Sequence, residues 1–209
     1  MITIPSVAPD SRLHLEFSND RAPLTDLDAI NRAVAEYGAR LWPIDLGAAP
    51  KTIHKLLAQQ ALTPAESAQV RDHFLLSRQR LLQLIAEAGR KPQVPGGGEL
   101  TTLDATNNVS YPQLYIVAAG FDYTRFDKFH VNAAHDGTGL DEILQLLSGV
   151  GIRILVQTPD QGTITLHVTT SESTGWIITY DGGHPHIGSL TGATPGTKLL
   201  VQGIGPAKW

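Results

Sequence analysis

The chain has 209 residues, a formal net charge of −4 and no cysteine. The missing cysteines exclude disulfides, zinc–thiolate sites, iron–sulfur clusters and cysteine nucleophiles, and they suit a cytoplasmic location. Since no dense run of lysine and arginine occurs, and no apolar run is long enough to span a bilayer, we expect neither a nucleic-acid partner nor a membrane segment.

The first part of the chain, residues 1–95, is predicted to be mainly helical. Alternating residues at 13–17 predict one short strand, and Trp42-Pro43-Ile44 is predicted to be a loop. The strongest helix signal is Thr63-Pro64-Ala65-Glu66, a capping box with proline at the first helical position. The helix that it opens is predicted to reach about Ala88, and its apolar stripe requires another surface to bury it.

The second part, residues 96–209, begins after a stretch rich in proline and glycine and is predicted to consist of strands. Short strands separated by glycine turns favour a closed antiparallel barrel or a sandwich. The strands are predicted at 113–117, 152–156, 163–169, 176–180 and 198–202. The sequence therefore predicts the α+β class, with a domain boundary between residues 95 and 96.

Histidines concentrate in this second part. They are His130, His135, His167, His184 and His186. Imidazole is the commonest metal ligand in proteins, and it also titrates near neutral pH. His184 and His186 follow a buried strand and a glycine turn, and in extended backbone they would point the same way. If the chain performs chemistry, the sequence places it here.

Two spacings resemble the motifs of the cupin superfamily. Gly175 is followed by five residues, then Asp181-Gly182-Gly183, then two residues and His186, as in the second cupin motif. Asp181 stands where the family has proline. Glu142 and Gly149, with six residues between them, resemble the end of the first motif. The resemblance implies that the second part is a cupin-like β-barrel, on which the helical N-terminal region packs.

The resemblance also implies a metal site. His186 and Glu142 would ligate a divalent transition metal (Fe, Mn, Ni or Zn), with open positions for a substrate. Family members carry a His-x-His pair shortly before the glutamate, and this chain does not. His135 and His130 are therefore the further candidate metal ligands, while Tyr180 and His184 are candidate catalytic residues.

The segment around Glu142 also has a competing interpretation. Its apolar residues have helical spacing, Asp141-Glu142 suit a helix N-terminus, and Gly149 suits a helix end. The apolar residues are Leu140, Ile143, Leu144 and Leu147. Under this interpretation Glu142 caps a helix and lies outside any site.

The resemblance implies a metal-dependent cupin-type enzyme that acts on a small organic molecule by oxygenation, isomerisation or lyase chemistry. We expect such a protein to form a homodimer. Because the histidine pair is missing, two alternatives stay open. One is a metal-free cupin module that binds or senses a small molecule, and the other is metal-free acid/base catalysis by histidine and tyrosine.

Overall fold

The computed structural model describes residues 12–98, 100, 103–104, 109–118, 128–133, 137–157, 162–189 and 193–206. The helices are α1 (Leu27–Val34), α2 (Lys51–Ala58), α3 (Pro64–Phe74) and α4 (Arg78–Glu87). The strands are β1 (Leu13–Phe17), β2 (Arg40–Asp45), β3 (Leu103–Asp104), β4 (Val109–Ser110), β5 (Gln113–Ile116), β6 (Asp141–Ser148), β7 (Val150–Gln157), β8 (Thr163–Thr169), β9 (Thr174–Tyr180), β10 (His186–Ser189) and β11 (Lys198–Ile204).

The strands form two large antiparallel sheets. A four-stranded sheet has the order β1-β8-β7-β10, and a five-stranded sheet has the order β2-β9-β6-β11-β5. Helices and antiparallel sheets together confirm the predicted α+β class. The strands that the structure describes pair within these separate sheets, so the predicted closed barrel is not seen. Strands from both sides of the predicted domain boundary share each sheet, because β1 pairs with β8 and β2 pairs with β9.

The inner faces of the two sheets share one apolar core. Leu15 and Leu166 of the four-stranded sheet belong to the same buried cluster as Leu144, Trp176 and Ile178 of the five-stranded sheet. Along β8 the side chains alternate between buried and half-buried, as the sequence pattern predicts. The inner faces of β6 and β9 pack in this core, and side chains on these faces form the candidate site.

Strand β6 corrects the helical interpretation of residues 141–148. Seven consecutive residues of this strand are buried, so its sequence lacks the alternation that marks a strand with one wet face. Leu144 faces the inner core, while Ile143 and Leu147 belong to clusters that also contain helical residues such as Leu57 and Leu81. A strand buried on both faces carries an apolar run that periodicity alone does not distinguish from a helix.

The long helix predicted from Thr63 is two helices, and that part of the prediction is wrong. The capping box at its start is present, since Thr63 and Glu66 bond each other's backbone amides at 3.3 and 2.8 Å. The chain leaves the helix at Leu75, where buried glutamines of the sheet bind the freed backbone groups. The Gln202 side chain accepts from the Leu76 backbone amide at 2.8 Å and donates to the Leu76 carbonyl at 3.0 Å. The Gln145 side chain donates to the Phe74 carbonyl at 3.0 Å.

The loop predicted at Trp42-Pro43-Ile44 is also wrong, because these residues lie in strand β2. Trp42 pairs with Ile177 of β9, and its side chain is buried. Proline is tolerated because β2 is the edge strand of the five-stranded sheet.

Candidate functional site

A buried carboxylate lies between two tyrosines at one end of the core. Glu142 pairs with Tyr180 across β6 and β9, so their side chains share the inner face. The Tyr180 hydroxyl donates to Glu142 Oε2 at 2.6 Å, and the Tyr111 hydroxyl donates to Glu142 Oε1 at 2.5 Å. The three side chains are 8% exposed or less. Burial and the neighbouring Glu142 carboxylate raise the pKa of both phenols, so each keeps its proton at neutral pH.

The ring of His186 lies next to this group. It is 1% exposed, and its centroid is 4.4 Å from that of the Tyr180 ring. Its Nδ1–H donates to the His184 carbonyl at 2.7 Å, which fixes the tautomer and leaves the lone pair on Nε2. Burial lowers the pKa of His186, so the neutral imidazole is favoured.

His130 and Asn132 approach His186 from a separate segment. The backbones of His130 and His186 exchange two hydrogen bonds, at 3.1 and 3.0 Å, and their ring centroids are 4.6 Å apart. The His130 Nδ1–H donates to the Lys128 carbonyl at 2.8 Å, so its lone pair is also on Nε2. The side-chain amide of Asn132 donates to His186 Nε2 at 3.3 Å.

A tight turn after β9 sets the position of His186. Gly182 packs so closely that a Cβ atom there would lie 2.2 Å from the Leu140 carbonyl oxygen. The carbonyl of Gly182 accepts from the backbone amide of Asn132 at 2.7 Å. Asp181, at the start of the turn, accepts from Gln93 Nε2 at 2.6 Å. The glycine turn is therefore required because the segments that carry His186 and Asn132 meet there.

An ion pair supports the site from the other face of the sheet. Arg90 follows α4 and donates to Asp141, the residue before Glu142; both side chains are buried. Arg90 also donates to Thr179 Oγ1 at 2.9 Å, and Thr179 donates to the Glu142 carbonyl at 3.3 Å. Gln93 adds its backbone amide to Asp141 at 2.8 Å. The backbone that carries Glu142 is thus fixed through these contacts.

The structure brings four of the predicted site residues together: Glu142, His186, His130 and Tyr180. The half-buried ring of His184 instead lies against Tyr37, with centroids 5.7 Å apart, while its backbone carbonyl accepts from His186 Nδ1. His135, the further predicted ligand, lies outside the described residues.

Sequence reasoning missed two residues of this group. Nothing in the sequence marks Tyr111, which precedes β5 and lies far along the chain from Glu142. Asn132 stands two residues after His130, so this pair has the spacing of the expected His-x-His, with asparagine in the second place. That spacing is the signal that could have found it.

His167 lies away from the site, on the outer face of the four-stranded sheet. Its Nε2 is 3.2 Å from Glu16, which also contacts His14 at 3.1 Å. Within the described ranges, no three histidine, aspartate or glutamate side chains are arranged to hold one metal ion. The atoms that a metal would bind already have partners in this structure, since His186 Nε2 accepts from the Asn132 side chain and both Glu142 oxygens accept tyrosine hydroxyls.

Comparison with known proteins supports the fold. No family model matches the sequence, and no curated protein matches it. A solved structure, acireductone dioxygenase from Bacillus anthracis with a cadmium ion in its active centre, is similar with a TM-score of 0.61. The two chains are 12% identical, over 93% of this chain and 94% of the other. That enzyme has a cupin fold, so the similarity gives this chain a cupin-like fold.

The helices of this protein are short. None of those in the described part of the chain has the length and apolar character needed to cross a lipid bilayer.

Proposed function

We propose that this protein is a metal-dependent cupin-type enzyme acting on a small organic molecule, with His186, His130 and Glu142 as ligands of a divalent transition metal. The observation that carries the proposal is that the two imidazoles have the same tautomer. Each donates Nδ1–H to a backbone carbonyl, at 2.7 and 2.8 Å, and so presents Nε2. Metal-ligating histidines typically have such a partner on the second ring nitrogen, because it fixes the tautomer and the ring orientation.

The burial of the site favours the same conclusion. His186 and Glu142 are nearly inaccessible to water, so a charge there is costly unless it is compensated. A divalent ion would compensate Glu142 and would polarise a substrate oxygen as a Lewis acid. His135 stays the predicted further ligand, Tyr180 and His184 stay the predicted catalytic residues, and the homodimer stays a prediction.

Among the three predicted reaction classes we favour oxygenation. The solved structure with the similar fold is a dioxygenase with a metal ion in its active centre. Two imidazoles and a carboxylate with open positions are also the usual ligand set of non-haem Fe(II) oxygenases.

Metal titration by calorimetry tests the proposal. Purified protein is stripped with a chelator and titrated with Mn²⁺, Fe²⁺, Ni²⁺ and Zn²⁺. We expect about one equivalent to bind, and His186→Ala and His130→Ala each to weaken binding by at least about tenfold, which corresponds to 1.4 kcal/mol. His73→Ala, which removes an exposed histidine from α3, is the matched control. The proposal is contradicted if the wild-type protein binds none of the four ions. It is also contradicted if the His186→Ala variant binds them as tightly as the wild type does.

A second candidate function is a metal-free cupin module that binds or senses a small molecule. The observation that favours it is that Glu142 already accepts two phenol hydroxyls, while His186 Nε2 accepts from Asn132. Such a module would bind its ligand equally well before and after chelator treatment. Ligand binding that is lost on metal removal and restored by Mn²⁺ excludes it.

A further inference from the structure

We infer that an apolar cavity between the two sheets is a binding site for dioxygen, next to the candidate functional site. The inference rests on the proposed function and deepens it, because it names the place where the gas for an oxygenation would be held. The cavity has a volume of about 20 Å³. Since about 10–15 Å³ is enough for one water molecule, the space suits one very small guest rather than an organic substrate.

The wall of this cavity comes from both sheets and from the end of α1. Leu15 of β1 lies across the cavity from Ile178 and Tyr180 of β9. Val34, which ends α1, and Ala39, which precedes β2, complete the wall. All of these residues are 7% exposed or less, so the cavity lies within the core. Val34 and Ala39 are the smallest side chains of the wall, so a larger residue at either position would reduce the space.

The chemistry of the wall favours an apolar gas over water. Aliphatic side chains and one tyrosine line the cavity, and the Tyr180 hydroxyl already donates to Glu142 at 2.6 Å. An ordered buried water needs about two to four polar partners, whereas a cavity lined by aliphatic and aromatic side chains stays dry and binds guests such as xenon. Dioxygen is also small and apolar, so it gains dispersion contacts with this wall without giving up strong hydrogen bonds to water.

Tyr180 connects the cavity to the candidate functional site. Its ring lines the cavity, and the ring of His186 lies against it with the centroids 4.4 Å apart. A gas molecule in the cavity is therefore separated from His186 by one aromatic ring. Binding there would raise the concentration of dioxygen beside the site above that in solution.

Methyl-group NMR spectroscopy of the purified protein under gas pressure tests the inference. Xenon shifts the resonances of the methyl groups that it contacts, and dioxygen relaxes nearby methyl groups because it is paramagnetic. We expect saturable xenon shifts and the strongest relaxation by dioxygen at Leu15, Val34 and Ile178, which line the cavity. Leu57 and Leu84, which are buried in two other clusters, supply the control methyl groups. Equal relaxation of lining and control methyl groups, with no saturable xenon shift, overturns the inference.

Two substitutions that narrow the cavity separate binding from a general effect of gas pressure. Ala39→Val and Val34→Ile each add carbon atoms to the wall, and we expect each to weaken xenon binding by at least about tenfold, or 1.4 kcal/mol. Ala35→Val changes the exposed alanine that follows α1 in the same way, and it should bind xenon like the wild type. The inference is wrong if the two cavity variants fold and bind xenon with wild-type affinity.

Gas binding and metal binding are separate measurements, so the failure of this inference is distinguishable from that of the proposed function. Protein that binds Mn²⁺ but shows no saturable xenon shift refutes the dioxygen site and leaves the metal proposal standing. Protein that binds xenon and dioxygen in the cavity but none of the four metal ions refutes the metal proposal and leaves the gas site standing.

Discussion

Replacing Arg90 with methionine tests whether the ion pair behind the site holds the sheet together. Arg90 and Asp141 have side-chain exposures of only 8% and 1%, so the substitution leaves a buried carboxylate with the Gln93 amide as its remaining described donor. Removing one partner of a buried ion pair costs about 3–5 kcal/mol, because the other charge stays uncompensated. Arg90 also bonds Thr179 and the Gly38 carbonyl, which places the expected loss in the upper part of that range.

Urea unfolding followed by circular dichroism measures this loss as a change in the free energy of unfolding. Arg71→Met is the matched control, since Arg71 pairs with Asp72 at exposures of 39% and 61% and such pairs contribute about 0–1 kcal/mol. The double variant Arg90→Met with Asp141→Leu removes both charges, and we expect it to be more stable than Arg90→Met alone. A loss below about 1 kcal/mol for Arg90→Met would refute the reasoning, because it would mean that Asp141 is solvated or protonated at little cost.

Three further predictions concern other parts of the fold. Burial lowers the pKa of Lys198 from 10.5 to about 8. The folded state therefore binds this proton less tightly than the unfolded state, and stability should rise by about 1–2 kcal/mol as the pH goes from about 8 towards 10. Urea titrations should show this rise in the wild type, and the reasoning is wrong if Lys198→Met shows it equally. Gly182→Ala should cost about 1–3 kcal/mol and weaken metal binding, because its Cβ would collide with the Leu140 carbonyl. Gly188→Ala, at a position with open space, should change neither quantity, and equal effects of the two variants would count against the turn's role. Asn132→His should raise Zn²⁺ affinity by at least about tenfold by adding a third imidazole beside His186, and calorimetry that shows no gain would place residue 132 outside the metal's reach.

The sequence predicted those elements whose signals are local. The alternation in β8 and the capping box of α3 each depend on neighbouring residues, and both are confirmed. The break after Phe74 was missed because the groups that stabilise it, Gln145 and Gln202, lie 71 and 126 residues away from their partners along the chain.

The candidate site shows the same limit. Family spacing pointed to Glu142 and His186, and in the structure both side chains contact Tyr180. Tyr111 had no signal, because its role comes only from the pairing of β5 with β11 and of β11 with β6. Side chains that meet through sheet order rather than through chain order are invisible to motif spacing.

The edge positions of β1 and β2 have a practical consequence for dissecting this protein. A fragment of residues 96–209 would lack both strands, so β8 and β9 would each present unpaired amides and carbonyls along a whole side. Uncovered strand borders of this kind recruit further chains, which leads to aggregates or exchanged dimers. The fragment should therefore self-associate in size-exclusion chromatography, and adding a peptide of residues 12–45 should reduce that association.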